Sequence, residues 1–293
     1  MRVALIPNLE KADSVVASAA LADSLGGKAD PVVLSNPGEA ELAAARPDLV
    51  IVLGGDGSIL RCAQALGSLA VPVVGINFGK VGYLAAFSIQ QFQRHARDIL
   101  AGRSVITPRM MLKGTIYRWD QSANTPLPVT EIESTGGKPL FEYLALNDVV
   151  INAGPPFRMI ELRVRVDEHE SIKFRSDGII VATSSGSTAY NLSAGGPLIT
   201  PDVHAMVLTS ICPHSLSFRS VVLSDQSTVL IYPEIVYAGT AVSFDGQVSR
   251  QLAMNECVVV RRSPRPLQLV ENPEMNHWRM LATKLQWAQN PRR

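Results

Sequence analysis

The first hundred residues alternate short apolar runs with segments that are apolar at helical spacing. The run Leu49–Leu53 contains no polar residue and is typical of a strand that is buried on both faces of a parallel sheet. Further strands are predicted at residues 2–6, 31–34 and 70–76, and helices at residues 13–25, 39–45, 58–66 and 90–101. This alternation predicts a parallel α/β layer over roughly the first 100 residues.

After Gly102 the pattern is dominated by strands. They are predicted at residues 109–119, 143–152, 160–166, 172–175, 178–183, 205–211, 220–223, 228–231, 241–244 and 256–261. The polar stretch 120–139 is predicted to be a long hairpin loop, and the run of strands indicates a second, sandwich-like domain. Residues 277–289 are amphipathic, with Trp278 and Leu281 on the apolar face. They are expected to pack on their own domain or on a neighbouring subunit.

The composition suits a sizeable core and excludes several classes of protein. Of 293 residues, 46% are apolar and 18% are charged, and the formal net charge is +1, so no attraction to nucleic acid or to a membrane surface is predicted. No run reaches the roughly 18 apolar residues that span a bilayer, and the first residues do not resemble a signal peptide. Cys62, Cys212 and Cys257 are too widely spaced for a zinc site and are expected to be buried thiols of a cytoplasmic protein.

The sequence GGDG at residues 54–57 lies between a predicted strand and a predicted helix. Three glycines in four residues are expected to allow positive φ angles and the close approach of another molecule. The N-terminus of the following helix favours an anion such as phosphate, beside which Asp56 could bind a metal or take a proton from a nucleophile. The alternative is a tight turn in which Asp56 is a surface residue or a cap. The spacing matches neither G-x-G-x-x-G nor G-x-x-x-x-G-K-[ST].

Polar residues gather at three further places. Asn147 and Asp148 fall in an otherwise apolar strand, where they would point to opposite faces, so at least one is expected to face a site or a hydrogen-bond partner. A strand-end cap is the alternative. Residues 183–188 carry five hydroxyls before a helix expected to begin near Ser187, which is more than capping requires and suits phosphate or ribose. Asp245 lies in a turn that by itself is more typical of a hairpin than of a site.

Taken in order, these motifs resemble those of the NAD kinases. The matching segments are GGDGSIL, GINFGKVGYL, LND, RSDGIIVATSSGSTAYNLSAGGPLITP, ICPHSLSFRSVVLS and DGQ. The resemblance runs from Asn8 to about Arg262. GGDG is shared with phosphofructokinases and with diacylglycerol and sphingosine kinases, whereas GSTAYNLSAGGP is far more specific to NAD kinases. The resemblance implies an α/β, Rossmann-like domain at residues 1–102, an all-β sandwich domain at residues 103–276, and NAD bound between them.

The resemblance also implies an activity. The γ-phosphoryl group of ATP, or of polyphosphate, would pass to the 2′-hydroxyl of the adenosine ribose of NAD, with Asp56 as the general base. A divalent metal cation, Mg²⁺ or Mn²⁺, would assist, and the chain would assemble as a homodimer or homotetramer. No residue is assigned as a metal ligand.

Family roles transfer to this chain residue by residue. The positions that match the donor-phosphate site are Gly54, Gly55, Gly57, Ser58, Asn77 and Phe78. The positions that match the NAD site are Gly57, Asn147, Asp148, Arg175, Asp177, Ser185, Thr188, Ala189, Tyr190, Ser193, Asp245 and Gln247. Of these, Arg175 matches a position that in some members is linked to discrimination between NAD and NADH.

Three short segments depart from the family's pattern. Asn-Glu is Asn-Asp at residues 147–148, which shortens the second side chain by one methylene. Thr-Pro-Thr-Gly is Thr-Ser-Ser-Gly at residues 183–186, and Leu-Gly-Phe-Leu is Val-Gly-Tyr-Leu at residues 81–84. Two other functions stay open. A lipid kinase with GGDG would require an apolar acceptor pocket, and a non-enzymatic dinucleotide-binding regulator would not require Asp56.

Overall fold

The computed structural model describes residues 1–79, 82–119, 130–132 and 138–285. The chain forms two units, each of which is described by itself. The first comprises Met1–Arg109 and Leu267–Arg293, and the second comprises Met110–Pro266. The chain therefore leaves the first unit at residue 109, where the sequence suggested 102, and it returns at residue 267, before the predicted C-terminal helix.

The first unit is a six-stranded sheet with helices. Its helices are α1 (Ala12–Leu25), α2 (Glu39–Ala45), α3 (Asp56–Leu66), α4 (Ile89–Leu100) and α6 (His277–Leu285), and its strands are β1 (Arg2–Pro7), β2 (Asp30–Val33), β3 (Leu49–Leu53), β4 (Pro72–Ile76), β5 (Ile106–Arg109) and β18 (Leu267–Val270). The strand order is β2-β1-β3-β4-β18-β5. All neighbours are parallel except β18 and β5. The predicted α/β layer is confirmed.

Strand β3 lies inside this sheet because all five of its residues are apolar. None of them is more than 2% exposed, and Ile51 belongs to the same buried cluster as Leu5 of β1 and Val74 of β4. Burial of such side chains contributes roughly 25 cal/mol for each Å² of apolar surface removed from water. The parallel strands β1, β3 and β4 bring their carboxyl ends to one edge of the sheet, which is where ligands bind in open α/β sheets.

The returning chain completes the first sheet. Strand β18 pairs in parallel with β4 and antiparallel with β5. Glu274, which follows β18, then accepts a hydrogen bond from Arg94 Nε of α4 at 3.0 Å and lies 3.0 Å from His95 Nε2. These contacts, with Arg94 first, lower the pKa of the Glu274 carboxyl to about 2. The sequence did not reveal this return, because no local pattern connects a four-residue strand with a partner almost 200 residues earlier.

Helix α6 is amphipathic, but its buried face differs from the predicted one. Met280 and Leu281 are buried, whereas Trp278 is 59% exposed. The end of the predicted helix, residues 286–289, lies outside the described residues, as does most of the polar stretch 120–139. None of the described helices is long and apolar enough to cross a membrane.

Two antiparallel sheets of six strands form the second unit. Its strands are β6 (Leu112–Arg118), β7 (Phe141–Ala145), β8 (Asp148–Asn152), β9 (Ile160–Val166), β10 (Ile172–Ser176), β11 (Gly178–Thr183), β12 (Ala205–Ile211), β13 (Val221–Ser224), β14 (Val229–Ile235), β15 (Ala241–Phe244), β16 (Val248–Gln251) and β17 (Glu256–Arg262), and its short helix is α5 (Tyr190–Ser193), which follows the 3₁₀ turn Ser185–Thr188. The strand orders are β10-β9-β14-β17-β6-β7 and β13-β12-β11-β8-β15-β16. Side chains of both sheets, such as Leu162 and Val181, share one buried cluster. The predicted sandwich is confirmed.

Two predicted strands are broken in the structure. The stretch 109–119 contains the last residue of β5 and all of β6, with a break at residues 110–111. The stretch 143–152 contains the end of β7 and all of β8, which belong to different sheets and are separated by residues 146–147. A period-two pattern does not reveal a change of sheet, because the alternation of apolar side chains continues on both sides of the crossing.

The three cysteines are free thiols, but they are not all buried. Cys62 and Cys257 are buried, and burial raises the pKa of each thiol to about 12. Cys212, which follows β12, is exposed. The expectation of three buried thiols is therefore wrong for Cys212.

Candidate active site

The GGDG turn connects the buried strand β3 to helix α3. Helix α3 begins at Asp56, and its N-cap residue Gly55 has φ −85°. None of Gly54, Gly55 and Gly57 is among the described residues with positive φ, so the expected left-handed turn is wrong. Gly54 is required by close packing instead, since a Cβ atom there would lie 2.3 Å from Ser58 Oγ.

The Asp56 carboxylate holds the segment that follows β4. Oδ2 accepts a hydrogen bond from the backbone N–H of Tyr83 at 2.9 Å, and Oδ1 accepts from Leu84 at 3.0 Å and from Ala85 at 2.9 Å. Gly82 makes this approach possible, because a Cβ atom there would lie 1.9 Å from Asp56 Oδ1. A carboxylate offers about four lone-pair positions. Asp56 therefore keeps one on Oδ2 for a further donor.

Tyr83, whose backbone N–H donates to this carboxylate, carries a second polar group. Its hydroxyl is buried and has no hydrogen-bond partner among the described residues. Burial and the charge of Asp56 raise the pKa of the phenol, so Tyr83 is neutral at physiological pH. The Phe-to-Tyr departure noted in the sequence thus adds a buried hydroxyl.

A cavity of about 290 Å³ lies along one face of α3. It is lined by Ile6, Pro7, Asn8, Leu9, Glu10, Asn36, Pro37, Ser58, Arg61, Cys62 and Ala65. Ser58 is 8% exposed, and its hydroxyl has no hydrogen-bond partner among the described residues. Of the six residues predicted for donor phosphates, only Ser58 lines this cavity. Asn77 instead accepts a hydrogen bond from the N–H of Gly79 at 3.0 Å, in the chain after β4.

Sequence reasoning missed Arg61 and Asn8, which line the same cavity. Arg61 lies one helical turn after Ser58 on the same face of α3, so the i, i+3 spacing could have found it. Asn8 follows β1, at the same edge of the sheet as the GGDG turn. An arginine, an amide and a hydroxyl form a set of donors that suits phosphate oxygens.

A second cavity of about 290 Å³ lies within the sandwich unit. It is lined by Asn147, Asp148, Val150, Asn152, Ala189, Tyr190, Ser243, Asp245 and Gly246. Five of these were predicted for NAD: Asn147, Asp148, Ala189, Tyr190 and Asp245. The structure therefore brings together residues from three separate motifs. We call this the acceptor cavity.

Sequence reasoning missed three side chains on the strands of this cavity, Val150, Asn152 and Ser243. Val150 and Asn152 follow Asp148 on the same face of β8, because strand side chains alternate, and Ser243 of β15 pairs with Val150. Alternation along β8 could have indicated Asn152. Ser243 required knowledge of the pairing between β8 and β15.

Asp245 belongs both to a hairpin turn and to the cavity. Asp245 and Gly246 have φ angles of 52° and 63°, as the tight turn between β15 and β16 requires. The Asp245 carboxylate accepts hydrogen bonds from the backbone N–H groups of Leu146 at 2.8 Å, Asn147 at 2.7 Å and Asp148 at 3.1 Å. It thereby fixes the segment in which the chain crosses from one sheet to the other.

Asn147 and Asp148 both line the cavity, which corrects the expectation of opposite faces. Strand β8 begins only at Asp148, so Asn147 lies in the crossing and does not follow the alternation. Asp148 is 5% exposed, and burial together with the charge of Asp245 raises the pKa of its carboxyl to about 7.

Hydroxyls of residues 183–188 donate hydrogen bonds to backbone carbonyls. Thr183 Oγ1 donates to the carbonyl of Leu146 at 2.7 Å, Ser187 Oγ to that of Ser184 at 2.7 Å, and Thr188 Oγ1 to that of Ser185 at 3.1 Å. The block forms the 3₁₀ turn and then α5, where a helix from Ser187 was expected. Ser185, Thr188 and Ser193 do not line the acceptor cavity, so much of this hydroxyl content shapes the turn that presents Ala189 and Tyr190.

Three other predicted NAD residues lie away from the cavity lining. Arg175 is exposed on β10, in the other sheet, and its Nε donates to Glu161 Oε2 at 2.6 Å. Asp177 lies where the chain passes from β10 to β11, again between sheets, and Gln247 lies in the β15–β16 turn. Their assignment to NAD stays a prediction.

The described residues offer no protein-only metal centre. No group of three or more His, Cys, Asp and Glu side chains among them could hold a metal ion. Mg²⁺ usually keeps several waters and is held by one or two carboxylates together with substrate phosphates. The residues present therefore fit a cation that is carried largely by a nucleotide.

Two family models match the chain over most of both units. The model of the ATP-NAD kinase N-terminal domain matches residues 35–104, and that of the ATP-NAD kinase C-terminal domain matches residues 146–272. The chain belongs to the NAD kinase family. The NAD kinase of Nitrosospira multiformis is 40% identical over 255 residues, which cover 86% of this chain and 80% of the relative. The NAD kinase of Trichlorobacter lovleyi is 37% identical over 249 residues, or 83% and 80% of the two chains.

Solved structures of the family have the same fold. Yeast NADH kinase complexed with NADH is similar with a TM-score of 0.85 at 21% identity, over 100% of this chain and 89% of that one. An NAD kinase from Archaeoglobus fulgidus in complex with ATP is similar with a TM-score of 0.73 at 26% identity, over 94% and 95% of the two chains. The α/β unit and the β-sandwich are thus the family's architecture.

Proposed function

We propose that this chain is an NAD kinase, which transfers the γ-phosphoryl group of ATP to the 2′-hydroxyl of the adenosine ribose of NAD and so forms NADP. The observation that carries the proposal is the acceptor cavity, where residues from the LND, STAY and DGQ segments meet. Membership of the NAD kinase family supports the same activity. Polyphosphate is an alternative donor for the same chemistry.

The acceptor cavity suits a nucleoside better than a lipid. Its lining offers two carboxyls, two amides, a hydroxyl and the ring of Tyr190, with Val150 and Ala189 as its main apolar contacts. A site built on hydrogen bonds rejects ligands that lack matching groups, because its own buried polar groups are then left unpaired. This speaks against a lipid kinase.

The cavity along α3 is the proposed site of the donor phosphates. Ser58 supplies a buried hydroxyl that lacks a partner among the described residues, and Arg61 supplies positive charge. Charge-assisted hydrogen bonds of this kind are stronger than neutral ones. A regulator that only binds a dinucleotide would need neither this cavity nor the base described next.

Asp56 is the proposed general base. As the 2′-hydroxyl oxygen attacks the γ-phosphorus, its proton passes to the remaining lone pair of Asp56 Oδ2. The bond between the γ-phosphorus and the bridging oxygen then breaks, and ADP leaves. The three backbone N–H groups hold the carboxylate in place for this step, and such fixed positioning supplies much of the rate in phosphoryl transfer.

A divalent cation, an oligomeric assembly and a cytoplasmic location belong to the same proposal. Mg²⁺ or Mn²⁺ bound to the ATP phosphates would neutralise charge on the transferred group. The exposed Trp278 of α6, and Val221 and Val222 on the edge strand β13, support a homodimer or homotetramer. The free thiols of all three cysteines support a reducing compartment.

One assay tests the activity directly. Purified protein is incubated with ATP, Mg²⁺ and NAD, and the product is read by a dehydrogenase that accepts NADP only. NADP is expected to form. The 2′-deoxyadenosine analogue of NAD is expected to bind without reacting, since the nucleophile is absent. Phosphorylation of diacylglycerol or sphingosine in preference to NAD would overturn the proposal.

A further inference from the structure

The two carboxyls of the acceptor cavity are not equivalent. Asp245 is held by the three backbone N–H groups of residues 146–148, and hydrogen bonds of this kind stabilise an ionised carboxylate. Asp148 is 95% buried from solvent, since only 5% of it is exposed, and no described residue donates a hydrogen bond to its side chain. One cavity therefore contains a carboxylate whose charge is stabilised and a carboxyl whose charge is not.

Among the described residues, those that line the cavity with Asp148 bring no positive charge to balance it. The titratable groups that line the cavity with it are Asp245, from the β15–β16 hairpin, and the phenol of Tyr190, from α5. No Lys, Arg or His is among the lining residues that the structure describes. A ligand that fills the cavity removes further water from Asp148, and desolvation disfavours a charged carboxylate still more.

We propose that Asp148 binds the acceptor as a neutral carboxylic acid and recognises one edge of its adenine ring. The inference rests on the proposed function for the identity of the ligand. A neutral carboxyl presents one donor and one acceptor side by side. Adenine presents the complementary pair at N6 and N7, which Asn and Gln side chains bind in the same way. An ionised carboxylate only accepts hydrogen bonds and would suit ribose hydroxyls.

The shorter side chain of this family member fits such a role. Asp148 stands where the family pattern has Glu, and its side chain is shorter by one methylene. Burial and the Asp245 charge raise the Asp148 pKa to about 7 in the free protein. Above that pH the free protein is mostly ionised at Asp148, so binding NAD must take up a proton. The affinity for NAD is therefore expected to fall as the pH rises.

Calorimetry on the unmodified chain tests this without any substitution. NAD is titrated at about pH 6.5 and about pH 8.5, each in two buffers with different ionisation enthalpies. We expect binding roughly 20-fold weaker at the higher pH, where uptake should approach one proton for each NAD bound. Proton release, or tighter binding at the higher pH, would show that the ionised form binds and would overturn the inference.

The substitution Asp148→Asn separates the two forms of the carboxyl, because an amide is close in shape to a neutral carboxyl and never ionises. We expect this variant to retain NAD affinity at pH 6.5 and to lose most of the pH dependence. Glu142→Gln is the matched control, since Glu142 is a largely exposed carboxylate on β7 that pairs with Lys113. That control should keep the wild-type dependence. A large loss of NAD affinity in Asp148→Asn at pH 6.5 would overturn the inference.

The hypoxanthine analogue of NAD tests the adenine edge itself. Replacement of the N6 amino group by a carbonyl removes the donor that the carboxyl would bind, so about tenfold weaker binding is expected. Equal binding of NAD and its analogue overturns the recognition of this edge. NADP formation without these effects defeats this inference alone, whereas a wild-type chain that binds no NAD at either pH defeats the proposed function as well.

Discussion

Each unit of the chain contains an aspartate that holds a backbone segment through three N–H groups. Asp56 holds residues 83–85 in the α/β unit, and Asp245 holds residues 146–148 in the sandwich. The two carboxylates make similar bonds, but their surroundings differ. Asp56 is the first residue of helix α3, and Arg61 of the same helix lines the cavity along it. Asp245 lines the acceptor cavity with Asp148, and no basic side chain is among the described lining residues there.

This difference separates the chemistry of the two regions. The N-terminus of α3 provides positive potential, which suits phosphates, and the cavity along its side is lined by Arg61 together with Glu10. The acceptor cavity is acidic, and it suits an uncharged base and ribose. Under the proposed function, a carboxylate with the same bonding pattern would serve near phosphate chemistry in one unit and in nucleoside recognition in the other.

The largest effect is expected for Asp56→Asn. The amide cannot accept the proton of the 2′-hydroxyl, so turnover should fall by roughly 10²-fold or more. In the variant, an NH₂ group replaces one of the two oxygens that accept backbone hydrogen bonds in the wild type. Donors would then face donors, so some loss of thermal stability is expected too. Steady-state kinetics and a melting curve measure both. Asp98→Asn, at an exposed site on α4, is the control, and near-normal turnover in Asp56→Asn would remove the base from the mechanism.

Asp245→Ala tests the corresponding three hydrogen bonds in the sandwich unit. Three backbone N–H groups would lose their acceptor, and an unpaired buried donor costs about 1–3 kcal/mol. We expect the free energy of unfolding to fall by about 3 kcal/mol or more, with weaker NAD binding, as measured by urea denaturation and calorimetry. Ser249→Ala, on the exposed side of β16, should change neither. Wild-type stability in Asp245→Ala would mean that water replaces the carboxylate without cost.

Asp148→Asn, in contrast, is expected to increase the free energy of unfolding. The folded pKa of Asp148 is raised from 3.8 to about 7, so the folded state binds more protons than the unfolded state between these values. The stability of the wild type should then decrease as the pH rises from about 4 to about 7. The variant lacks this loss and should be more stable by at least about 1 kcal/mol at pH 8. Equal pH profiles in denaturation experiments would contradict the expectation.

The smallest effect is expected for Ser58→Ala. Its hydroxyl has no partner among the described residues, so its removal should leave the free energy of unfolding within about 0.5 kcal/mol of the wild type or raise it slightly. If the hydroxyl binds the donor, the KM for ATP should rise about fivefold, the effect of one hydrogen bond of about 1 kcal/mol. A change in the KM for NAD alone would place Ser58 on the acceptor side.

Local patterns predicted much of this architecture. The buried run of β3, the alternation of strand and helix before it, and the strand-rich second half indicated both units, because burial and periodicity act over a few residues at a time. The candidate residues of the acceptor cavity were found in the same way, since Asn147, Asp148, Tyr190 and Asp245 each stood out from their own surroundings.

Other features could not be found locally, because they depend on partners far along the chain. The hydroxyls of residues 183–188 suggested a ligand, but several of them bind backbone carbonyls that only the folded turn brings close. Asn147 departs from strand alternation because the chain changes sheet there. Arg175 contacts Glu161 on the neighbouring strand β9, an ion pair that depends on strand register.

The sequence by itself determined most of the segments that form strands and helices, several of the residues that line the two cavities, and that a carboxylate follows the glycine pair after β3. Only the tertiary structure decided what each carboxylate does. Asp56 and Asp245 accept hydrogen bonds from segments 27 to 29 and 97 to 99 residues distant in sequence, and Asp148 is buried beside a second acid. The physical reason is that hydrogen bonding and desolvation depend on distances in space, which residue order alone does not specify.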